Sequence, residues 1–354
     1  MKKYLFMAAL LCMGCVCLTS CGDDDDELGS GKAGAVPAPT ITDANGNKVQ
    51  VTSIGNFSFG YDEQGKLRSF TAVNETFEIE GNKFILNSET EDWKSSINIA
   101  LNGKGYISTI SYKTSRKSSD GENEVEEGKI TCSYNGNGQM TGVSESSSFL
   151  ETDIDNGKQV GTWSGNSTSK CNITWKNENL TDCNFTSNET EKGSFIEDGK
   201  KYTENESTKG EGKMTFTYGS EKNPARQLPF VMCSSIFEQT IEVGGDIGVF
   251  AVIGLYGVGP AYLPESYTCY RKWVETEDGE EDIDEENSSR YFRFDINKNN
   301  GTIATEYISY SAAGNYNQMA NYNYVGTRTM LDQARKFSLI LHKRSNARRH
   351  HHAK

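Results

Sequence analysis

An apolar alternation of period two, broken every few residues by glycine and asparagine, constrains this chain most. Phe57, Phe59 and Tyr61 alternate with small residues. Phe77 and Ile79 run into Glu80-Gly81-Asn82, and Phe84 and Leu86 follow. Ile97, Ile99 and Leu101 lead to Asn102-Gly103-Lys104-Gly105, after which Ile107 and Ile110 resume. Met214, Phe216 and Tyr218 repeat the pattern, as do Phe292, Phe294 and Ile296. Successive side chains of a strand point to opposite faces, so these runs predict half-buried strands, and the Gly/Asn breaks predict tight returns. The predicted fold class is mainly β: an antiparallel hairpin meander forming a curved sheet, a half-barrel or a barrel.

A weak repeat sits on the alternation. Tyr61-Asp62-Glu63-Gln64-Gly65-Lys66-Leu67 matches Tyr134-Asn135-Gly136-Asn137-Gly138-Gln139-Met140. Trp175-Lys176-Asn177-Glu178-Asn179-Leu180 is the same unit one residue shorter, and Asn299-Asn300-Gly301 reads as a fourth turn. An aromatic ends one strand, polar residues with Gly turn the chain, and an aliphatic opens the next strand. The spacing is uneven, which favours a meander over a solenoid. Three polar tracts, 114–127, 189–212 and 275–289, are either loops or the solvated ends of long strands.

One segment departs from period two. Between Ile236 and Leu263 the chain is at its most apolar after the leader, and the spacing predicts a buried helix near residues 236–257 that ends at Gly257. A second, C-terminal helix is predicted over 329–341, in a tail (326–354) that carries eight Lys or Arg and one Asp.

The front of the chain sets location. Lys2 and Lys3 precede an apolar run from Leu5 to Leu18, the length of a signal-peptide core and too short to span a membrane. Leu18-Thr19-Ser20-Cys21 resembles the lipobox of bacterial lipoproteins. The resemblance implies a leader over 1–20 and lipid attachment at Cys21. Asp23, Asp24, Asp25, Asp26 and Glu27 follow at once, resembling the acidic export signal of Bacteroidetes surface lipoproteins. Residues 21–39 then form an acidic and Gly/Ala/Pro-rich tether, and a single β-meander domain is expected over 40–325. The expected location is the outer membrane, lipid-anchored and facing the cell exterior; a periplasm-facing anchor is the alternative.

Behind this lipobox, the Tyr-Asp-x-x-Gly-x-Leu units and the segment Gly254-Leu255-Tyr256-Gly257 closing on Leu263-Pro264 resemble a domain of unknown function in Bacteroidetes lipoproteins. That family is described as porin-like, a soluble curved meander or barrel rather than a pore. It carries no assigned activity, so the resemblance implies no site residues.

Charge excludes one class of partner. The net charge of −13 becomes −15 without Lys2 and Lys3, and the tail contributes +7, leaving −22 on residues 21–325. Phosphate contacts supply most nucleic-acid affinity and need basic residues, so no nucleic acid is expected. All four histidines, His342, His350, His351 and His352, lie in the tail. The body therefore lacks the means for a Ser-His-Asp triad or a histidine metal site. No GxxxxGK[ST] loop or strand-linked GxGxxG occurs, and neither cofactor nor metal is expected. Carboxylate pairs for hydrolysis abound, but none can be placed from sequence.

Five cysteines remain beyond Cys21. Cys171 and Cys183 flank a short turn and lie nearly opposite on a hairpin; they form a cross-strand disulfide or stand as two small buried thiols. Aromatics crowd two places, Tyr256, Tyr262, Tyr267, Tyr270 and Trp273, then Tyr307, Tyr310, Tyr316, Tyr322 and Tyr324. They fill a core or stack on a ligand. The expected role is a membrane-anchored binding module for a glycan, lipid or protein. Lipid binding in a LolA-like apolar cavity is the alternative, and a hydrolase comes third.

Overall fold

The computed structural model describes residues 40–43, 47–55, 57–72, 75–80, 83–86, 93–117, 122–155, 158–197, 200–226, 254–277, 279–312 and 316–324. The first strands are short: β1 (Thr40–Thr42), β2 (Lys48–Ile54), β3 (Phe57–Tyr61), β4 (Leu67–Ala72), β5 (Glu75–Glu80), β6 (Lys83–Leu86) and β7 (Trp93–Leu101). They lengthen through β8 (Ile107–Lys117) and β9 (Glu122–Tyr134). The longest are β10 (Met140–Asp155), β11 (Lys158–Lys176), β12 (Asn179–Glu197), β13 (Lys200–Lys222), β14 (Tyr262–Glu277) and β15 (Glu280–Ile296). Short strands β16 (Ile303–Ser309) and β17 (Asn317–Tyr324) complete the series.

Each strand from β2 onward pairs antiparallel with its successor in sequence, and β1 lies on β2. The last strand, β17, returns to β2 at Tyr322↔Ile54, Asn323↔Ser53 and Tyr324↔Val51. The sheet thus curls until its ends meet along a short seam rather than a full-length ladder. Among the described residues no helix occurs.

The repeat is a capped turn. Asp62 Oδ1 accepts from the N–H groups of Gln64 and Lys66. Asn102 Oδ1 does so from Lys104 and Tyr106, and Asn135 Oδ1 from Asn137 and Gln139. A short Asp or Asn side chain that bonds the backbone two residues on is an Asx turn. Gly65, Gly105 and Gly138 close these turns at φ of 74°, 81° and 80°, a region that L side chains avoid. The three turns cluster at one end of the sheet, together with the two-residue turn Asn177-Glu178, both at positive φ.

That end is apolar inside. Ile107, Ile110, Ile130, Leu180, Cys183 and Met214 are fully buried. Leu255 and Tyr256 close it from below, also buried. Their segment is stitched to the turns by backbone bonds. The Ile107 N–H donates to Leu255 O, Val258 N–H to Gly138 O and Ala261 N–H to Glu178 O, at 2.8, 2.9 and 3.1 Å. Gly257 sits at φ 88°, and a Cβ there would lie 2.3 Å from Gly138 O. This corrects the predicted helix end: Gly254 to Gly257 form a turn with both glycines at positive φ, because a backbone strapped across strand ends donates outward instead of along itself. Residues 236–253 of that prediction, the C-terminal helix, Cys21 and the acids behind it lie outside the described residues.

The polar tracts are strand, not loop. Residues 189–197 lie in β12, 200–212 in β13 and 280–289 in β15. About 20 residues at roughly 3.3 Å each span about 65 Å, so these hairpins run well beyond the apolar core.

Candidate functional site

The long hairpins β10 to β15 carry polar residues on both faces. Outward lie Asn166, Thr168, Lys170 and Asn172 on β11, then Asn184, Thr186, Asn188 and Thr190 on β12, all exposed. Lys209, Glu211 and Lys213 continue the outer face on β13, with Lys213 paired to Asp182 at 2.7 Å. A membrane-spanning barrel needs an apolar outer band. This wall has a charged one.

The inner face changes along the strands. Nearest the turns are Ile173, Cys183, Met214 and Cys269, cross-strand neighbours and all buried. Further out, Arg271 stands opposite Gly212 and bonds Glu286 at 3.3 Å. Beyond that, carboxylates take over. Glu145 faces Ser169, Glu189 faces Thr208, Thr208 faces Glu275, and Glu191 faces Glu206. Burial pushes the Glu191 carboxyl up to about 7, and the charges of Glu206 and Glu275 push it the same way. No group of three or more His, Cys, Asp or Glu among the described residues is placed to hold a metal ion.

Glycines set the shape of this inner wall. Tyr112 lies opposite Gly128, Phe149 opposite Gly165, Trp163 opposite Gly193 and Phe185 opposite Gly212. In every case a Cβ on the glycine would meet the ring at 2.2–2.3 Å. Each ring therefore lies across its neighbouring strand, in the space the glycine leaves.

Lying over Gly128, Tyr112 reaches two acids. Its hydroxyl is 2.8 Å from Glu145 Oε1 and 3.1 Å from Glu126 Oε1. The Tyr112 hydroxyl has one proton to donate and shares it between the two carboxyls. Burial raises the Glu126 pKa, against the hydrogen bonds from Tyr112 and Thr114. Ser169 Oγ donates to Glu145 Oε2 at 3.4 Å. The group ties β8, β9, β10 and β11 together.

At the rim, rings gather. Trp163 and Phe195 have centroids 6.1 Å apart at 15°, and Phe195 and Tyr202 5.5 Å at 18°. Tyr202 is 41% exposed. This trio lies outside both aromatic clusters singled out in the sequence. Of those clusters, Tyr256, Tyr267 and Tyr322 are core residues, while Tyr270 and Tyr310 are exposed. In the sequence only the dipeptide Asp198-Gly199, of a kind that favours tight turns, lies between Phe195 and Tyr202, which face each other across β12 and β13.

The predicted disulfide is corrected. Cys171 and Cys183 are buried and not joined by a disulfide. Cys183 pairs with Ile173 and Cys171 with Phe185, because the register slips between Thr174 and Trp175. The thiols stand on one face but two positions apart along the ladder, a diagonal rather than a facing pair.

No family model and no curated protein matches the chain. Among solved structures it is similar to a porin-like protein from Bacteroides vulgatus, at 10% identity and a TM-score of 0.37, covering 83% of this chain and 100% of that one. It is also similar to a porin-like protein from Bacteroides uniformis, at 15% identity and a TM-score of 0.38, covering 82% and 98%. The structural neighbours of this chain are thus porin-like proteins from Bacteroides, and the likeness is one of sheet architecture only.

Proposed function

We propose that the protein is a lipoprotein, anchored to the outer membrane through Cys21 and displayed outward, whose long-strand half binds a ligand on its inner wall. One observation carries this reading: the long hairpins have a polar outer face, unsuited to lipid, and an inner face richer in carboxylates and aromatic rings than packing requires. Core packing calls for apolar residues, and buried acids cost stability unless paired. The lipobox and the acids at 23–27 supply the address. The apolar half supports a LolA-like lipid cavity less well, since its side chains pack against one another and against Leu255 and Tyr256.

The anchor and display are tested in cells. Cys21→Ala should move the protein from the membrane fraction to the soluble one, and protease added to intact cells should cut the wild type. Protection in intact cells with cleavage after lysis would show a periplasm-facing anchor. Binding is tested by a thermal-shift screen of the mature protein against glycans, lipids and peptides. Stabilisation by lipids alone would return the reading to the apolar half.

A further inference from the structure

The tall wall ends abruptly on one side. β14 pairs with β15 from Glu280 to Tyr291, but β16 pairs with it only from Tyr291 to Ile296. Above Tyr291, residues 280–290 of β15 therefore have no partner strand on that side among the described residues. In an antiparallel strand every second residue turns its N–H and C=O away from a given neighbour. The edge thus offers a row of unused backbone donors and acceptors. Residues 280–287 are exposed at inner- and outer-facing positions alike. The opposite flank steps down by degrees: β8 covers β9 up to Asn123, and β7 covers β8 up to Arg116.

This edge has one sign of charge. Glu280, Glu281, Asp282, Asp284, Glu285 and Glu286 stand on it against Arg290 alone. At the foot of the edge Arg290 is turned onto the Tyr310 ring, 4.2 Å from its centroid. Glu286 pairs with Arg271 at 3.3 Å and Glu285 with Lys272 at 3.6 Å. The other four acids have no ion pair among the described residues. A second copy would set this edge on itself, with acids opposite acids, which destabilises the pairing. The same charges favour a cationic strand.

The chain carries such a segment itself. Lys343, Arg344, Arg348 and Arg349 fall within seven residues of the tail. β17 descends toward the turns and ends at Tyr324. Asn317 pairs with Ile308, and Ile308 with Phe292, so Tyr324 lies seven residues below the level of Phe292 and Glu286 six above it. The climb from Tyr324 to Glu286 is thus about 43 Å. Residues 325–342 reach about 59 Å when extended, enough to bring Lys343 to Glu286. A helix over 329–341 would cut that reach to about 36 Å, so the docked tail runs extended there. Rising past β16, it is antiparallel to β15. We infer that the basic run 343–349 lies along residues 280–286 of β15 as an added antiparallel strand, whatever ligand the inner wall takes.

The test is hydrogen exchange on the full mature chain, read at the amides of residues 280–286. On a bare edge every second amide is open to solvent, and under a docked strand those amides should exchange at least about tenfold more slowly. Two variants are compared: the full-length chain with Lys343→Glu, Arg344→Glu, Arg348→Glu and Arg349→Glu together, and a chain ending at Val325. Both should lose the protection. The amides that join β14 to β15 should stay slow in both, which separates an uncovered edge from a lost fold. A peptide of residues 326–354 added to the shortened chain should restore the protection at low salt and not at high salt. Equal exchange in the wild type and both variants would overturn the inference and leave the acids as guards against edge pairing. Protection that survives charge reversal would overturn it too, as would protection that rises with protein concentration and so reports a second copy. A ligand that binds the inner wall in the screen while edge exchange ignores the tail would leave the proposed function standing and sink this inference alone.

Discussion

The two ends of the sheet are made by the same strands under different rules. Near the turns, alternation separates apolar from polar, and Ile173, Cys183, Met214 and Cys269 form one continuous buried row. Towards the rim the same strands alternate polar with polar, and the inner residues are Glu189, Glu191, Glu206 and Glu275. The first end can be held by the hydrophobic effect. The second is held by the ladder, by ring-over-glycine packing and by hydrogen bonds. Stability therefore belongs to one end, and the chemistry available for recognition to the other.

The largest expected effect tests that division. Met214→Ala, in the apolar row, should cost about 2–5 kcal/mol in denaturant unfolding, whereas Thr208→Ala, three turns of the pleat further out, should cost less than about 1 kcal/mol. Similar losses at both would erase the contrast. Next comes the ring-over-glycine packing. Gly165→Ala sets a methyl against Phe149 at 2.2 Å and the Thr190 carbonyl at 2.5 Å, and should destabilise by about 1–3 kcal/mol. Gly136→Ala, with nothing within 4 Å, should be close to neutral. Equal effects would mean that the rings are free to move aside.

A third test uses acid within the apolar end. Glu306 is fully buried, and its carboxyl, bonded to Tyr322 at 3.1 Å, is pushed up to about 8 by burial. The folded state thus holds a proton that the unfolded chain releases from about pH 4.5 upward. Its contribution to stability is complete below that pH and is lost as pH rises through about 8, by roughly 1 kcal/mol per pH unit. Glu306→Gln should flatten the fall in stability between pH 5 and 8; an unchanged slope would refute the assignment. The smallest effect is expected at the acidic end. Glu191→Gln removes a charge facing Glu206; the span from 4.5 to about 7 is narrower than for Glu306, so it should stabilise by about 2 kcal/mol above pH 7 and by much less at pH 5, where the native carboxyl is already protonated. Destabilisation at pH 8 would show that Glu191 serves the ladder instead.

Much of the fold was legible because strand signals are local. Period two and Asx-Gly turns are written in neighbouring residues, so the meander, its hairpins and the repeat at Tyr61 and Tyr134 followed directly. The segment at 254–257 was misread because an apolar run looks alike whether it bonds to itself or to distant turns, and only Gly138, Ile107 and Glu178 decide which. The Cys171–Cys183 pairing failed for a similar reason. A slip of one residue at Thr174 changes every facing partner beyond it, and a bulge leaves no mark in composition.

The sequence by itself determined that this chain is an antiparallel meander with an acidic body. Which acids share a face, which rings lie over which glycines, and that Trp163, Phe195 and Tyr202 stack were decided only by tertiary structure. The physical reason is that a ladder brings together residues far apart in sequence. Trp163 and Gly193, on the two arms of one long hairpin, are 30 positions apart yet face each other, and a one-residue slip near the turn resets every such pairing.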